Sequence, residues 1–457
     1  MRCREKIETF NRNMNRNNIA IIIFCILSIV LSLFFRYVYE RPIACDELTF
    51  YAYGSNLYQG NGYSHSEFPP YVQSNFREPA YPVFIFLLFK IFGASKNVIF
   101  IAQSFLNGLI VVVTYYIANL ITNNKKIALI AAFLTAISPT ITGYAGFVLS
   151  ETFACLFSVL LALFFLLLFK AREKKKIFIF SVLTGFFAGC LILAKMTYFF
   201  YPILIYLVLL MMPINRFFKQ MAILCISVVL ISILLPWFSF NNKNYGNPFF
   251  LTNRGGLALS IKAERLDWEP KDIAASFAFS FSKTLLERYF PKEYERVAEV
   301  PVEKKVFDKY ASFINRGYGE LASDKQLRVD ALNKIKGNVF KYIILSVVDF
   351  QYMFYFEGLP LSQFTYFFKP AISGAINLFF KIYSLIVIFL FFKGVFIMLK
   401  NKDNYFLKMV FLLPVFYTFF MYSAIFAVPR FIFPAIPFIY ILSSIGICEI
   451  SRKRAAL

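Results

Sequence analysis

Solidly apolar runs, most of them about as long as a membrane-spanning helix, fill most of this sequence, and short charged loops separate them. Spanning strands would alternate apolar and polar residues over about ten positions, and these runs do not alternate. Hydrophobic residues make up 59% of the chain, which is more than a soluble globular protein carries. We therefore predict an all-α polytopic membrane protein.

The excess of basic residues is explained by the membrane. Lys and Arg number 48 against 26 acidic residues, a formal net charge of +22. In a soluble chain this excess would indicate nucleic-acid binding. Here much of it lies in short loops at the ends of apolar runs, where it orients the chain against the membrane. Because no polar domain remains to bind nucleic acid, we expect membrane lipids and no nucleic acid as partners.

Ten strong apolar runs predict about ten transmembrane helices. The runs cover 19–38, 97–121, 127–143, 152–169, 177–194, 198–213, 220–239, 374–399, 405–425 and 430–449. Two weaker runs, 80–93 and 338–356, are expected to lie at the outer membrane surface as amphipathic or re-entrant helices. Both termini and the basic clusters between spans then lie in the cytoplasm, as the positive-inside rule requires. These clusters are Lys125–Lys126, 170–176, Arg216–Lys219, Lys400–Lys402 and Arg452–Arg454.

This topology divides the chain into four parts in the cell (plasma or inner) membrane. They are a cytoplasmic N-terminus at 1–18, a transmembrane catalytic module at 19–239, an extracytoplasmic helical segment at 240–373, and C-terminal transmembrane helices with a cytoplasmic tail at 374–457. The module includes an outer loop at 39–96, called the first loop below. Residues 240–373, called the loop segment, contain charged stretches that predict helices at 283–299 and 320–341.

Acidic residues stand at two predicted helix starts on the outer side. Asp46 and Glu47 open a short helix after the first span, and Glu151 follows Ser150 at the start of the fourth. Helix capping and dipole complementation explain such acids without any site. However, acids at the margin of the hydrocarbon are costly and tend to face a cavity or a cation. Both interpretations stay open at this point.

Four cations lie on the outer side, although the positive-inside rule disfavours them there. They are Arg77, Lys195 between spans five and six, Arg254 in the loop segment, and Arg430 at the start of the last span. Each alone is typical of a snorkelling or headgroup-binding side chain. Together they indicate an anionic ligand, and a phosphate suits Arg and Lys well.

A metal site built from His or Cys is not expected. The chain has one histidine, His65, and no CxxC or HExxH spacing. Of the seven cysteines only Cys45 falls in a predicted outer loop, which argues against a disulfide framework. Carboxylates can still hold a hard cation, so Asp46 and Glu151 are the candidate ligands of a possible divalent ion.

An ordered series of short motifs resembles the bacterial branch of the C-type glycosyltransferase superfamily, close to family-39-like enzymes such as protein O-mannosyltransferases and lipid A aminoarabinose transferases. The series comprises Asp46-Glu47, Arg77-Glu-Pro-Ala-Tyr81-Pro82, Ser150-Glu151, 235–248, Asn253-Arg-Gly-Gly256 and Pro429-Arg-Phe-Ile-Phe-Pro434. Its order and its spacing relative to the spans carry the resemblance. Two positions depart from the usual pattern, because Lys243 stands near a customary Arg and Glu151 replaces a common Asp.

The resemblance implies inverting transfer of a sugar from a polyprenyl phosphate to a hydroxyl acceptor on the extracytoplasmic face. Asp46 would be the general base, and Glu151 would orient the acceptor or a metal. A polyprenyl phosphate leaves as a stable anion, so such a site needs a base and cations but no acid. The expected phosphate-binding residues are Arg77, Lys195, Arg254 and Arg430, with Glu47, Glu78 and Tyr81 in support. The acceptor is expected to be a lipid, a polysaccharide or a protein hydroxyl.

A transporter or flippase of lipid-linked saccharides is the alternative. It would carry polar or charged groups deep at the midplane of several helices. The predicted spans instead carry most charges at their ends. A polymerase or ligase of surface polysaccharides would centre on a large outer loop with Arg and His, which the lone His65 does not favour.

Overall fold

A computed structural model describes residues 2–38, 42–212, 215–249, 252–355, 370–400 and 405–455, and in this part the chain is helical with no strand. The α-helices are α1 (Arg2–Val38), α2 (Asp46–Gln59), α3 (Ala80–Phe92), α4 (Lys96–Thr122), α5 (Lys125–Ile137), α6 (Pro139–Tyr144), α7 (Glu151–Lys170), α8 (Lys174–Ala194), α9 (Tyr201–Met211), α10 (Arg216–Tyr245), α11 (Gly255–Glu264), α12 (Pro270–Phe281), α13 (Lys283–Tyr289), α14 (Tyr294–Val297), α15 (Glu299–Asn315), α16 (Glu320–Lys336), α17 (Val339–Asp349), α18 (Pro370–Lys400), α19 (Tyr405–Ile425) and α20 (Ile436–Ala455). The all-α prediction is confirmed.

Eight helical stretches within the described ranges are long and apolar enough to cross a membrane. They are Arg16–Tyr37, Lys96–Thr122, Glu151–Lys170, Lys174–Ala194, Arg216–Tyr245, Gly374–Lys400, Tyr405–Ile425 and Pro429–Arg452. They coincide with eight of the ten predicted spans, so the chain is a multi-pass membrane protein. Part of the predicted basic cluster Lys400–Lys402 lies in 401–404, outside the described residues.

The other two predicted spans are broken helices. The run 127–143 is divided between α5 and α6 at Ser138, whose hydroxyl caps the backbone N–H of Ile141. Pro139 follows, and a proline cannot continue the hydrogen-bond ladder of the preceding helix. The run 198–213 becomes the 11-residue helix α9 after a 3₁₀ turn. A total of ten crossings therefore stays a prediction.

Neither of the two weak apolar runs forms a full-length span. α3 has 13 residues and α17 has 11. At about 1.5 Å per residue each is shorter than the roughly 30 Å of a hydrocarbon core. Their placement at the membrane surface stays a prediction.

The loop segment has its own small core within the described residues, formed by side chains such as Leu266, Trp268 and Leu286. The stretch 283–299, predicted to be helical, holds two short helices, because α13 ends at Tyr289 and α14 follows Pro291. The predicted helix at 320–341 is confirmed as far as Lys336. Gly337 and Asn338 then separate α16 from α17.

The C-terminal end of α10, which follows its apolar part, holds the first loop through hydrogen bonds. The amide of Asn75 donates to Oδ1 of Asn241 at 3.0 Å, and the backbone N–H of Asn75 donates to the hydroxyl of Tyr245 at 2.9 Å. Lys243 lies in the same stretch and is exposed. Asn241 and Tyr245, on either side of Lys243, therefore hold the first loop in place.

Small residues bring α18 and α20 close together. A Cβ added at Gly394 would overlap the backbone carbonyl of Leu442, and one at Gly446 would meet that of Leu390. Helices in membranes associate largely through such close packing.

We expect Gly394→Ala to lower the stability of the protein by about 1–3 kcal/mol, because the new methyl group must push the two backbones apart. Thermal unfolding of the purified protein in detergent measures the effect. Gly374→Ala is the matched control in the same helix, since a Cβ there has no neighbour within 4 Å. Equal melting temperatures for the two variants would contradict this packing.

Candidate active site

The carboxylate of Asp46 is the centre of a cluster that joins three distant parts of the chain. Its Oδ1 accepts a hydrogen bond from Nη2 of Arg77 at 2.5 Å, and its Oδ2 accepts one from Nη2 of Arg430 at 2.6 Å. Asp46 begins α2, Arg77 precedes α3, and Arg430 lies in the 3₁₀ turn Pro429–Ala435 before α20. Two guanidinium groups thus share one carboxylate.

Helix capping does not account for the two candidate acids. Cys45 and Ser150 are the N-cap residues of α2 and α7, and neither makes a side-chain capping hydrogen bond. The carboxylate of Asp46 binds two arginines, and that of Glu151 binds Lys195. Ser150 therefore does not cap α7 through its side chain, and the long-range ion pairs of Asp46 and Glu151 favour a site.

Arg77 is a fixed part of the cluster. Its Nε donates to the hydroxyl of Thr49 at 2.8 Å, and its guanidinium carbon lies 4.7 Å from the centroid of the Phe50 ring. Thr49 in turn donates to the backbone carbonyl of Asp46 at 2.7 Å, within the first turn of α2. Only 5% of the Arg77 side chain is exposed. Burial and a second polar partner hold this arginine in one orientation.

Arg430 is held less firmly. Its side chain is 33% exposed, and within the described residues Asp46 is the only side chain with which it forms an ion pair. Its guanidinium carbon lies 5.6 Å from the ring centroid of Phe431. Because Asp46 and Arg430 are both partly exposed, breaking this pair costs less than breaking a fully buried one.

The environment of Asp46 favours its ionised form. Burial acts to raise the pKa of the carboxyl group, but the charges of Arg77 and Arg430 outweigh it and lower the pKa well below its usual range. Asp46 is thus a carboxylate at neutral pH. It accepts hydrogen bonds strongly but is a weak base in this arrangement.

Glu151 is the second acid, and one of its oxygens is unoccupied. Its Oε1 accepts a hydrogen bond from Nζ of Lys195 at 3.0 Å. Its Oε2 is buried and has no hydrogen-bond partner among the described residues, and 4% of the side chain is exposed. Leaving a buried polar atom without a partner costs free energy. The geometry therefore leaves one strong hydrogen-bond acceptor open at the start of α7.

The two acid–cation groups lie side by side. The ring centroid of Phe431 is 5.5 Å from Nζ of Lys195 and 5.6 Å from the guanidinium carbon of Arg430. The charges of both Asp46 and Glu151 act on Arg430. The structure thus brings four of the predicted site residues, Asp46, Glu151, Lys195 and Arg430, together at one end of the bundle, with Arg77 completing the set.

Glu47 and Tyr81 hold the backbone around this cluster. Oε1 of Glu47 accepts the backbone N–H of Val148 at 2.8 Å. The hydroxyl of Tyr81 donates to Oε1 of Gln103 at 2.9 Å, and Nε2 of Gln103 donates to the carbonyl of Phe147 at 2.7 Å. Both residues therefore fix the turn that leads into Glu151.

Glu78 and Arg254 lie farther from the centre. Oε1 of Glu78 accepts the backbone N–H of Met196 at 3.4 Å, next to Lys195. The guanidinium of Arg254 stacks 4.9 Å from the ring centroid of Phe76 and makes no ion pair within the described part of the chain. The structure therefore does not bring Arg254 into the Asp46 cluster.

Comparisons with known proteins agree with this architecture. Residues 77–240 match the model of the dolichyl-phosphate-mannose-protein mannosyltransferase family, a range that includes Arg77, Glu151 and Lys195. No curated protein sequence matches the chain.

The architecture is shared with a solved oligosaccharyltransferase. The crystal structure of the Archaeoglobus fulgidus enzyme, in complex with Zn and sulfate, matches with a TM-score of 0.51 at 14% identity. The match covers 95% of this chain and 49% of that one, so the chain spans about half the length of that protein. This chain has the C-type glycosyltransferase fold. The fold that the resemblance implied is thereby confirmed.

ArnT from Cupriavidus metallidurans has a more distant likeness. Its structures bound to undecaprenyl phosphate and in the apo state match with TM-scores of 0.43 and 0.42, at 10% and 12% identity. Each match covers 94% of this chain and 77% of ArnT.

The sequence did not single out three residues that shape this candidate site, Thr49, Phe50 and Phe431. Thr49 stands three positions after Asp46, so helical spacing was a usable signal for it. Phe50 and Phe431 gave no signal, because an aromatic ring in an apolar chain is unremarkable. Their contacts with Arg77, Lys195 and Arg430 depend on the folded bundle.

A divalent cation at Asp46 and Glu151 stays an open prediction for this fold. Across the described ranges, no three His, Cys, Asp or Glu side chains are grouped to bind a metal. Each of the two acids is already neutralised by Arg or Lys, so a metal would have to displace a cationic side chain. As arranged here the residues do not fit a metal, and no step below uses one.

Proposed function

We propose that this chain is an inverting glycosyltransferase. It moves a sugar from a polyprenyl-phosphate donor to a hydroxyl group of a lipid, polysaccharide or protein acceptor on the extracytoplasmic face of the membrane. The observation that carries the proposal is the Asp46 carboxylate held between Arg77 and Arg430, with the Glu151–Lys195 pair beside it. Transfer of this kind requires a carboxylate to receive the acceptor proton and cations to stabilise the leaving phosphate.

Asp46 receives the acceptor proton. Glycosyl transfer passes through an oxocarbenium-like state in which the attacking hydroxyl becomes acidic as its bond to the sugar forms. A weak base that is fully ionised can take the proton late in this step. The bond between the sugar and the phosphate oxygen breaks as the new bond forms on the opposite face, and so the anomeric configuration inverts.

Glu151 orients a substrate hydroxyl. Its buried Oε2 is unpartnered among the described residues, while Lys195 holds its other oxygen. A hydroxyl of the acceptor or of the sugar that donates to Oε2 would satisfy this atom and be placed within about 3 Å of a fixed group. Positioning of this kind is a major part of catalysis.

Cations stabilise the leaving phosphate. A polyprenyl phosphate departs as an anion, so charge develops on its oxygens in the transition state. Arg77, Arg430 and Lys195 surround the two acids and supply that charge. The prenyl chain would add affinity through burial at about 0.8 kcal/mol per CH₂ group. Arg254 lies nearby on Phe76 and is a fourth candidate.

A transfer assay tests the proposed function directly. The purified protein is reconstituted in liposomes with radiolabelled polyprenyl-phosphate sugars, with and without lipid, polysaccharide and peptide acceptors. We expect label in one acceptor together with free polyprenyl phosphate, and an inverted anomeric configuration by NMR. Movement of intact lipid-linked sugar across the bilayer, with no release of polyprenyl phosphate, would instead indicate the transporter.

A further inference from the structure

In this structure the proposed base and two of the proposed phosphate-binding residues are bound to each other. Both carboxylate oxygens of Asp46 are engaged, Oδ1 by Arg77 and Oδ2 by Arg430. A carboxylate whose two oxygens each accept a charge-assisted hydrogen bond has little capacity left for an acceptor hydroxyl. The same contacts occupy the two guanidinium groups that a donor phosphate would use.

The two arginines differ in how they are held, and this difference decides which one can move. Arg77 is 5% exposed, donates to Thr49 and lies against Phe50. Arg430 is 33% exposed, and Asp46 is its only hydrogen-bond partner among the described residues. If Arg77 moved away from Asp46, its buried charge would lose its ion-pair partner. If Arg430 moved away, it would lose one contact and remain partly in water.

We propose that the donor phosphate takes Arg430 from Asp46, so that donor binding itself exposes the Oδ2 oxygen that receives the acceptor proton. Arg77 stays in place and keeps Asp46 oriented. With one guanidinium gone, Asp46 becomes a stronger base at the moment when the donor is present. The exchange rests on the proposed function, since it assumes a phosphate-bearing donor at this site.

The exchange also explains why Arg430 is paired with a carboxylate at a site that must bind an anion. The phosphodiester of the donor carries one negative charge, as a carboxylate does, and its two free oxygens can accept from two N–H groups of one guanidinium. It therefore competes well for Arg430. Before the donor binds, both oxygens of the Asp46 carboxylate accept hydrogen bonds from arginines, so it cannot activate water or an unrelated hydroxyl group.

Binding of undecaprenyl phosphate, which carries no sugar, tests the exchange without catalysis. The probe is titrated against the purified full-length protein in detergent, with native mass spectrometry as readout. Asp46→Asn is expected to bind it about tenfold more tightly than the wild type, because Arg430 no longer has a competing carboxylate. Arg430→Gln is expected to bind it at least about tenfold more weakly. In the double variant the tightening by Asp46→Asn should disappear.

Matched controls separate the exchange from a general charge effect. Asp308→Asn removes an exposed acid of α15, and Arg452→Gln removes an exposed cation of α20. Neither is expected to change the affinity. Binding that Asp46→Asn leaves unchanged or weakens would overturn the exchange, as would unchanged binding by Arg430→Gln.

Three further outcomes can be distinguished from these. If Asp46→Asn shows no cooperative unfolding and is not folded, the comparison of Arg430→Gln with Arg452→Gln decides the proposal alone. If the wild-type chain binds no undecaprenyl phosphate, the proposed function fails together with the exchange. If the wild type transfers sugar while Arg430→Gln and Asp46→Asn bind undecaprenyl phosphate as tightly as the wild type does, the exchange is overturned and the proposed function stands.

Discussion

Asp46→Asn is expected to abolish sugar transfer while the protein stays folded and inserted in the membrane. The amide keeps the shape of the side chain but has no carboxylate to receive the acceptor proton. General-base assistance is worth about 10²–10⁴-fold in rate, and the turnover number should fall by that factor. Arg77 keeps its contacts with Thr49 and Phe50 in the variant, which supports the local structure.

Turnover is measured in the reconstituted transfer assay, and folding is checked by thermal unfolding in detergent. Asp308→Asn is the matched control, since Asp308 is exposed on α15 and no described residue forms an ion pair with it. The control should transfer sugar at the wild-type rate. Full activity of a correctly folded Asp46→Asn protein would remove Asp46 from the mechanism.

Asp349→Asn is expected to destabilise the protein by about 3–5 kcal/mol, the largest stability effect anticipated for a single substitution. Asp349 is fully buried and pairs with two cations of the loop segment, Lys262 through Nζ and Arg265 through Nη1 at 2.9 Å. The substitution leaves two buried positive charges without a carboxylate. Burial already holds the pKa of Lys262 below its usual value, even with the Asp349 charge acting to raise it.

The Asp349 cluster also joins the loop segment to a membrane helix. Nζ of Lys262 donates to the backbone carbonyl of Ser423 at 3.0 Å, in the last turn of α19. Tyr342 of α17 donates to the neighbouring carbonyl of Ala424. Loss of Asp349 should therefore loosen the loop segment from the bundle as well as lower its stability.

Thermal unfolding in detergent and limited proteolysis of the loop segment measure the two effects. Asp330→Asn is the matched control, because Asp330 pairs with Lys309 in a partly exposed position at 2.9 Å. Such surface pairs contribute about 0–1 kcal/mol. Equal melting temperatures for Asp349→Asn and Asp330→Asn would show that the buried cluster carries no special weight.

The sequence alone sufficed to predict an all-α, multi-pass membrane protein and most of its long apolar helices. Eight of its apolar runs became long apolar helices, and the runs at 80–93 and 338–356 formed only short ones, of 13 and 11 residues. This works because a bilayer imposes one requirement on every segment, namely enough consecutive apolar residues with internally satisfied backbone hydrogen bonds. Such a requirement is local and can be checked residue by residue.

The sequence was less informative wherever a polar residue interrupts an apolar run. Asp349 lies in the weak apolar run 338–356, where the sequence indicates no partner for it, and the structure pairs it with Lys262 and Arg265. The stretch 283–299 was expected to be helical, and the sequence did not show that Pro291 divides it into two helices. Local composition indicates that a polar group needs a partner, but it does not identify the partner.

The candidate site shows the same division between sequence and fold. Sequence position and family resemblance pointed to Asp46, Glu151 and the cations around them. Only the tertiary structure decided that Arg77 and Arg430 share Asp46, that Lys195 binds Glu151, and that Arg254 stacks on Phe76 instead. Ion pairs between residues far apart in the chain depend on how helices cross and on which side chains are desolvated. Neither property is encoded in the local order of residues.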